Sequence, residues 1–382
     1  MIFMAKKIIT ILGIETSCDE TAASLIRITN LNEIRIISNI VSSQVKIHAK
    51  YKGIVPEVAA RHHVENIIPV LEKSLEFFSN KKFRKIGEER STKIHNYLRL
   101  IDAIAVTNGP GLITSLLVGV EAAKTLAFLA NKPLVPVNHL AGHIYANFVD
   151  KSQISNLKSQ NLFPALCLVV SGGHTELILM KDFEKFQKIG QTLDDAAGEC
   201  FDKVAKILGL GYPGGPAVAA EAANLKSQIS NLKIKFPRPM INTNDFNFSF
   251  SGLKTAVLYK TNSIKQITNN KNFVPEICAE VQQAIIDVLI TKTIRAARKF
   301  NAKSIILGGG VVANKELRKQ FKLKIENWQL KINPLFPPKN LCTDNATMIA
   351  AAGYFKLAKV KKNNWLRKFN WRKIKVDLNS LP

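Results

Sequence analysis

Two histidines four residues apart, His139 and His143, carry the plainest chemical signal in the chain. On a helix, positions i and i+4 share a face, so both imidazoles can reach one metal ion. Neutral imidazole serves zinc, iron, copper and nickel alike, so the pair specifies a transition metal without choosing one. The zinc-protease pattern needs a Glu directly after the first His; Leu140 stands there, so no general base of that kind adjoins the pair. A third ligand has to come from elsewhere. Asp344, in Cys342-Thr-Asp-Asn345, offers it as an oxygen donor just ahead of the last apolar helix.

The elements that must position these groups read as a duplicated α/β pattern. Residues 7–14 form a strand, Glu15-Thr-Ser-Cys-Asp-Glu-Thr21 a polar turn, and 22–28 a second strand; the sequence recurs as strand 165–170, turn 171–176 and strand 177–180. Each hairpin opens one half of the chain, and its turn can offer backbone N–H groups to phosphates. Gly172 and Gly173 let the backbone approach such a ligand closely. In the first half, strand 101–106, a glycine turn at 107–111, helix 116–130 and strand 133–137 lead to His139, at the carboxyl end of a strand, where open α/β sheets place ligands.

In the second half, 192–203 begins a helix with Asp194 and Asp195 in its first turn, where acids suit the helix dipole. Asp202, further along, is placed to accept bonds from ribose hydroxyls. Helices follow from 247–254 and over 276–300. Strand 304–307 then runs into Gly308-Gly-Gly-Val, and Asn314 serves either as a hydrogen-bonding group or as a helix N-cap. The lobes are drawn at 1–160, rejoined by 345–382, and at 161–344.

Composition narrows the function classes. With 46% hydrophobic and 22% charged residues among 382, the chain is globular and long enough for more than one domain. A net charge of +25 suits a polyanionic partner, nucleic acid above all. Residues 356–375 interleave nine Lys and Arg with Trp365, Phe369 and Trp371, a mix that joins phosphate attraction to base stacking, or else straps the tail onto a lobe. Five scattered cysteines form no C-x-x-C site and point to a reducing cytoplasm. The apolar run 112–130 contains Glu121 and Lys124 and reads as a core helix, so no membrane span is expected. Two identical octapeptides, 151–158 and 226–233, and the charged stretch 79–99 read as surface insertions.

Taken together the motifs are recognisable. Glu15-Thr-Ser-Cys-Asp-Glu-Thr21, Val55-Pro-Glu57 with Arg61, Asn108-Gly-Pro-Gly111, His139 with His143, Ser171-Gly-Gly-His-Thr175 and Asp194-Asp-Ala-Ala-Gly198 come first. Tyr212-Pro-Gly-Gly215, Phe248-Ser-Phe-Ser-Gly-Leu-Lys254, Gly308-Gly-Gly-Val and Cys342-Thr-Asp-Asn345 complete the set. In this order and spacing the chain resembles the TsaD family of bacterial tRNA adenosine threonylcarbamoyltransferases.

The resemblance implies a duplicated, actin-like fold of two lobes around a cleft, shared with sugar kinases and Hsp70. It implies transfer of a threonylcarbamoyl group from threonylcarbamoyl-AMP to the exocyclic amine of the adenosine 3′ of the anticodon, in tRNAs that read codons starting with adenine. His139, His143 and Asp344 would hold one divalent metal, iron ahead of zinc. Val169, Val170, Ser171, Gly172, Gly173, Asp202, Gly215 and Asn314 would contact the donor. Asp19 and Glu20 are the candidates to take the amine's proton. A paralogous actin-like subunit and a small ATPase are the implied partners. Lys52 and Ala346 stand where relatives usually carry Gly. Two other readings weigh less: a non-catalytic ATP-binding scaffold of the actin or Hsp70 type has little use for the two histidines and Asp344, and a metalloprotease lacks its Glu.

Overall fold

The computed structural model describes residues 8–29, 33–78, 96–149, 162–225, 234–267, 273–328 and 332–378. Both octapeptides, and 79–95 of the charged insertion, lie outside these residues. The chain forms two compact units: Met1–Gln44, Ile54–Asn161 and Asp344–Pro382 make unit 1, and Val45–Gly53 with Leu162–Thr343 make unit 2.

Unit 1 carries strands β1 (Ile9–Glu15), β2 (Glu20–Ile28), β3 (Ile34–Ser43), β4 (Ala103–Gly109) and β5 (Leu134–Asn138), ordered β3-β2-β1-β4-β5. Unit 2 carries β6 (Ala165–Val170), β7 (Thr175–Met180), β8 (Phe186–Gln191), β9 (Ser304–Gly308) and β10 (Asn333–Leu335), ordered β10-β9-β6-β7-β8. In each sheet the first strand pairs antiparallel with the second and parallel with the fourth. The third pairs antiparallel with the second, and the fifth parallel with the fourth. The two sheets are thus traced along one path, and the duplication seen in the hairpins extends to all five strands. Both antiparallel outer strands, β3 and β8, are absent from the sequence reading.

In chain order the helices are α1 (Val45–Tyr51), α2 (Pro56–Leu75), α3 (Ile113–Ala130), α4 (His139–Tyr145), α5 (Ala197–Leu208), α6 (Gly214–Ala223), α7 (Ser251–Ile267), α8 (Phe273–Lys299), α9 (Lys315–Asn327), α10 (Ala346–Leu357) and α11 (Trp365–Lys368). In unit 1 successive residues of β1 point to opposite faces. Leu12 and Ile14 join a core with Ile67 and Leu71 of α2 and Val120 and Ala123 of α3. Gly13, between them, faces α10: a Cβ there would lie 2.2 Å from the Ala346 carbonyl, so only glycine lets that helix sit so close. Covered on both faces, β1 is a nearly continuous apolar run. Unit 2 buries Leu166, Leu168, Phe201, Phe248, Phe250 and the inner face of α8 in its own core.

Four features differ from the sequence reading. Asp344 falls in unit 1, with the histidines, because α10 packs on β1, β2 and β4 and carries its preceding residue along. Asp194 and Asp195 precede α5 instead of opening it; Asp194 accepts bonds from the Ser249 and Ser251 hydroxyls and the Phe250 and Ser251 N–H groups at the start of α7. Helix α3 does have the length and apolarity of a membrane span, with a mean hydropathy of 1.6. One face of it packs in the unit 1 core, and its two charges, Glu121 and Lys124, pair at 2.7 Å.

The fourth is the tail, for which two readings stood open, stacking on bases or strapping a lobe, and the packing selects the strap. Trp365 and Phe369 are buried, and Trp371 meets Phe128 of α3 edge-on at 5.4 Å. Leu134 N–H donates to the Phe369 carbonyl, Asp377 N–H to that of Asn108, and Lys356 Nζ to that of Pro136. The tail is a strap, because each of these rings gains more by leaving water than by waiting for a partner.

Candidate active site

Two asparagine caps position the three metal-ligand candidates. Asn138 ends β5 and caps α4, its side chain accepting from Ala141 N–H at 3.0 Å, so that His139 is the first helical residue and His143 lies one turn on. Asn345 caps α10 in the same way, accepting from Met348 N–H at 3.1 Å, which leaves Asp344 projecting from the helix entrance. Gly142 of α4 packs against Ile349 and Met348 of α10, bringing the two entrances together.

One ligand atom from each of His139, His143 and Asp344 lies within 4.8 Å of the others. Asp344 Oδ1 is 3.2 Å from His143 Nε2 and 3.5 Å from His139 Nε2. Donors tetrahedrally placed at about 2.1 Å from a zinc-sized ion stand roughly 3.4 Å apart, which the two carboxylate–imidazole distances match. The rings meet edge-on at 4.7 Å. His143 is wholly buried and neither of its ring nitrogens has a partner in hydrogen-bond geometry. A cation shared by Nε2 and the Asp344 carboxylate facing it at 3.2 Å would satisfy that nitrogen. Burial and the neighbouring His139 keep His143 below its ordinary pKa, in the neutral form that ligates.

Behind His139 lies a group the sequence reading left without a role. Glu15, wholly buried at the end of β1, accepts from Ser17 N–H at 2.5 Å and from the Thr107 hydroxyl at 2.5 Å, and approaches His139 Nδ1 at 3.2 Å. Ser17 Oγ is 3.1 Å from the same nitrogen. A carboxylate on Nδ1 fixes the ring's tautomer and turns Nε2 toward Asp344 and His143. Burial alone would depress the His139 pKa, but the Asp344 and Glu15 carboxylates outweigh it and lift it to about 9. Burial opposes ionisation of Glu15, yet the His139 imidazole and the Thr107 hydroxyl hold it below its ordinary value. The hint in the sequence was Glu15 itself, heading the first motif at the end of a buried strand.

Asp19 and Glu20 lie beside this cluster. Asp19 is buried and its carbonyl accepts Gln44 N–H at 3.0 Å. Glu20 is the first residue of β2 and accepts from Ser43 Oγ at 3.1 Å. Burial first, then the charges of Asp19 and Asp344, push its carboxyl well above the usual range. His63 of α2, which the sequence reading passed over, braces the turn between Thr21 Oγ1 at 2.8 Å and the Cys18 carbonyl at 3.0 Å. Leu112 N–H holds the Ser17 carbonyl at 2.8 Å, so the Asn108-Gly-Pro-Gly111 loop buttresses it as well.

The donor-contact candidates all belong to unit 2, five of them at the end of β6. Val169 and Val170 are buried in the strand, and Ser171, Gly172 and Gly173 form the turn beyond it. Gly198 N–H of α5 donates to the Ser171 carbonyl at 3.2 Å. Asp202, on the same helix, accepts Gly214 N–H at 2.6 Å and so joins α5 to the start of α6, where Gly215 has open space beside it. Of the two roles read for Asn314, the N-cap is present: its Oδ1 accepts from Glu316 and Leu317 N–H, and its Nδ2 donates to Gln282.

Comparison with known proteins decides the family. The family model described as "TsaD: tRNA N6-adenosine threonylcarbamoyltransferase" matches residues 35–351. The chain is similar to the tRNA N6-adenosine threonylcarbamoyltransferase of Syntrophomonas wolfei, at 47% identity over 90% of this chain and 91% of that one. It is similar to the protein of the same name from Bacillus subtilis, at 48% identity over 90% and 89%. The chain belongs to the TsaD family. Among solved structures, full-length HypF in its phosphate- and nucleotide-bound form covers 93% of this chain with 47% of its own length, at a TM-score of 0.51 and 12% identity. That likeness is one of fold, and the fold of this TsaD chain is actin-like.

Proposed function

We propose that the chain moves a threonylcarbamoyl group from threonylcarbamoyl-AMP to the N6 amine of the adenosine 3′ of the anticodon, in tRNAs reading codons that begin with adenine. A carbon–nitrogen bond forms at the carbamoyl carbonyl, the bond from that carbon to the phosphate oxygen breaks, AMP leaves, and the amine gives up one proton. The observation that carries this reading is the convergence of His139, His143 and Asp344 in a member of the TsaD family.

A divalent cation held by these three side chains, iron ahead of zinc, would supply Lewis acidity toward the donor's oxygens. The chain's own residues do the rest. Glu15 orients His139. Glu20, whose carboxyl burial and the neighbouring acids push above the usual range, is one candidate to take the amine's proton, and Asp19 beside it is the second. In unit 2 the Ser171–Gly173 turn and the Gly215 N–H near the start of α6 suit phosphate and carbonyl oxygens. The net charge of +25 favours a tRNA partner, and an anticodon loop presents unpaired bases that need no duplex opening. A paralogous actin-like subunit and a small ATPase are the partners we assign, and the cytoplasm the place.

The test incubates purified protein, partner subunits and metal with unmodified tRNA transcript and synthetic donor, followed by digestion and mass spectrometry of the nucleosides. The parent yields threonylcarbamoyladenosine. His139→Ala yields none and retains less metal; an active variant that still binds a full equivalent would remove the site assignment.

A further inference from the structure

The C-terminal segment carries a site of different chemistry. Residues 356–375 hold nine Lys and Arg and no Asp or Glu, and lie beyond the residues the family model matches. The segment has a defined conformation: the Trp365 indole N–H donates to the Val360 carbonyl at 2.8 Å, and Lys362 Nζ to Asp102 at 2.5 Å. With its aromatic rings turned into unit 1, its charges are turned out. Lys359, Lys361, Arg367, Lys368 and Lys373, with Asn364, line one open cavity of about 540 Å³. Among the described residues no acidic side chain stands within ion-pair distance of Lys361, Arg367, Lys368 or Lys373.

Like charges round one cavity repel each other, and a polyanion laid across them removes the repulsion and releases its own counterions. Exposed lysines on a convex face could disperse into water; these are gathered by the strap, whose buried rings hold their backbone in place. We propose that this cavity seats phosphates of the tRNA backbone. It reads charge and not sequence, since phosphates carry no base information. Asn364 adds amide donors among the cations. The inference rests on the reading that tRNA is the substrate.

The test is filter binding of the full-length protein to unmodified tRNA transcript over a salt series. In one variant Lys361, Arg367, Lys368 and Lys373 are all changed to Gln; in a control variant of equal charge, Lys181, Lys303, Lys319 and Lys324 are. Each phosphate contact contributes about 0.7–0.9 to the slope of log K against log salt. The tail variant is expected to flatten that slope by about 3 and to weaken binding at least tenfold near physiological salt, with the control close to the parent. A milder Arg367→Gln, Lys373→Gln pair, expected to flatten the slope by about half as much, decides the matter if the fourfold variant melts early. An unchanged slope overturns the proposal, as does an equal loss in the control. So does a tail variant that loses only binding to phosphatidylserine-containing vesicles, which would assign the cavity to lipid headgroups. A parent that binds no tRNA removes the functional reading as well as this one.

Discussion

Replacing Glu15 by Gln tests the proposed metal centre without touching a ligand. The substitution keeps the shape of the side chain but removes the charge that Ser17 N–H, the Thr107 hydroxyl and His139 Nδ1 share. Two effects oppose each other. Loss of a carboxylate behind a metal-bound histidine typically weakens binding about 10–100-fold, because the ring is no longer held in one tautomer and orientation. Against that, Glu15 helps hold a proton on His139 up to about pH 9, and that proton must leave before the ring can ligate. Below about 9 the parent loses up to tenfold in affinity per pH unit, roughly 1.4 kcal/mol, whereas the variant, with a less basic His139, loses less.

The balance therefore depends on pH. Near pH 9, where competition from the proton is small in both proteins, Glu15→Gln is expected to bind zinc about 10–100-fold more weakly. Toward pH 6 the difference narrows. Zinc affinity by competition with a chelating dye, with free zinc buffered throughout, measures both limits, and a thermal melt checks that the variant is folded. Equal affinities at pH 9, or a ratio independent of pH, would refute the role given to Glu15.

Two further substitutions follow. The folded-state pKa of Glu20 is raised, so its carboxyl favours folding when protonated, and that contribution is lost as pH rises through the folded value. In the metal-free protein Glu20→Gln should therefore raise the melting temperature at pH 8 and change it little near pH 4; an equal effect at both would count against burial and the neighbouring charges as the cause. Lys52 follows α1 with a left-handed φ of 55°, and its N–H bonds to the Ala49 carbonyl at 3.2 Å. Lys52→Gly should stabilise the chain by about 0.5–1 kcal/mol in urea unfolding, since glycine adopts that conformation without the Cβ clash; a loss of stability would contradict it.

Much of the site was written in the sequence because its signals are local. The spacing of His139 and His143 depends only on the helical period, the two hairpins only on apolar strands flanking a polar turn, and Asp344 only on preceding a helix cap. The outer strands β3 and β8 escaped because an edge strand, half in water, shows no clean alternation: β3 mixes buried and exposed residues without a period of two. The tail could not be read either, since buried tryptophans and stacking tryptophans have the same composition. Packing decided it, by covering Trp365 and Phe369.

Residue types and helical spacing were enough to name the ligand candidates and the family of motifs. They could not assign Asp344 to the unit that holds the histidines, nor give Glu15 its task, because both depend on strands and helices far apart in the chain: α10 returning to β1 through the gap at Gly13, and Thr107 of β4 coming alongside Glu15 of β1. Local propensity fixes which face a side chain takes, and only the closing of distant segments fixes what it meets there.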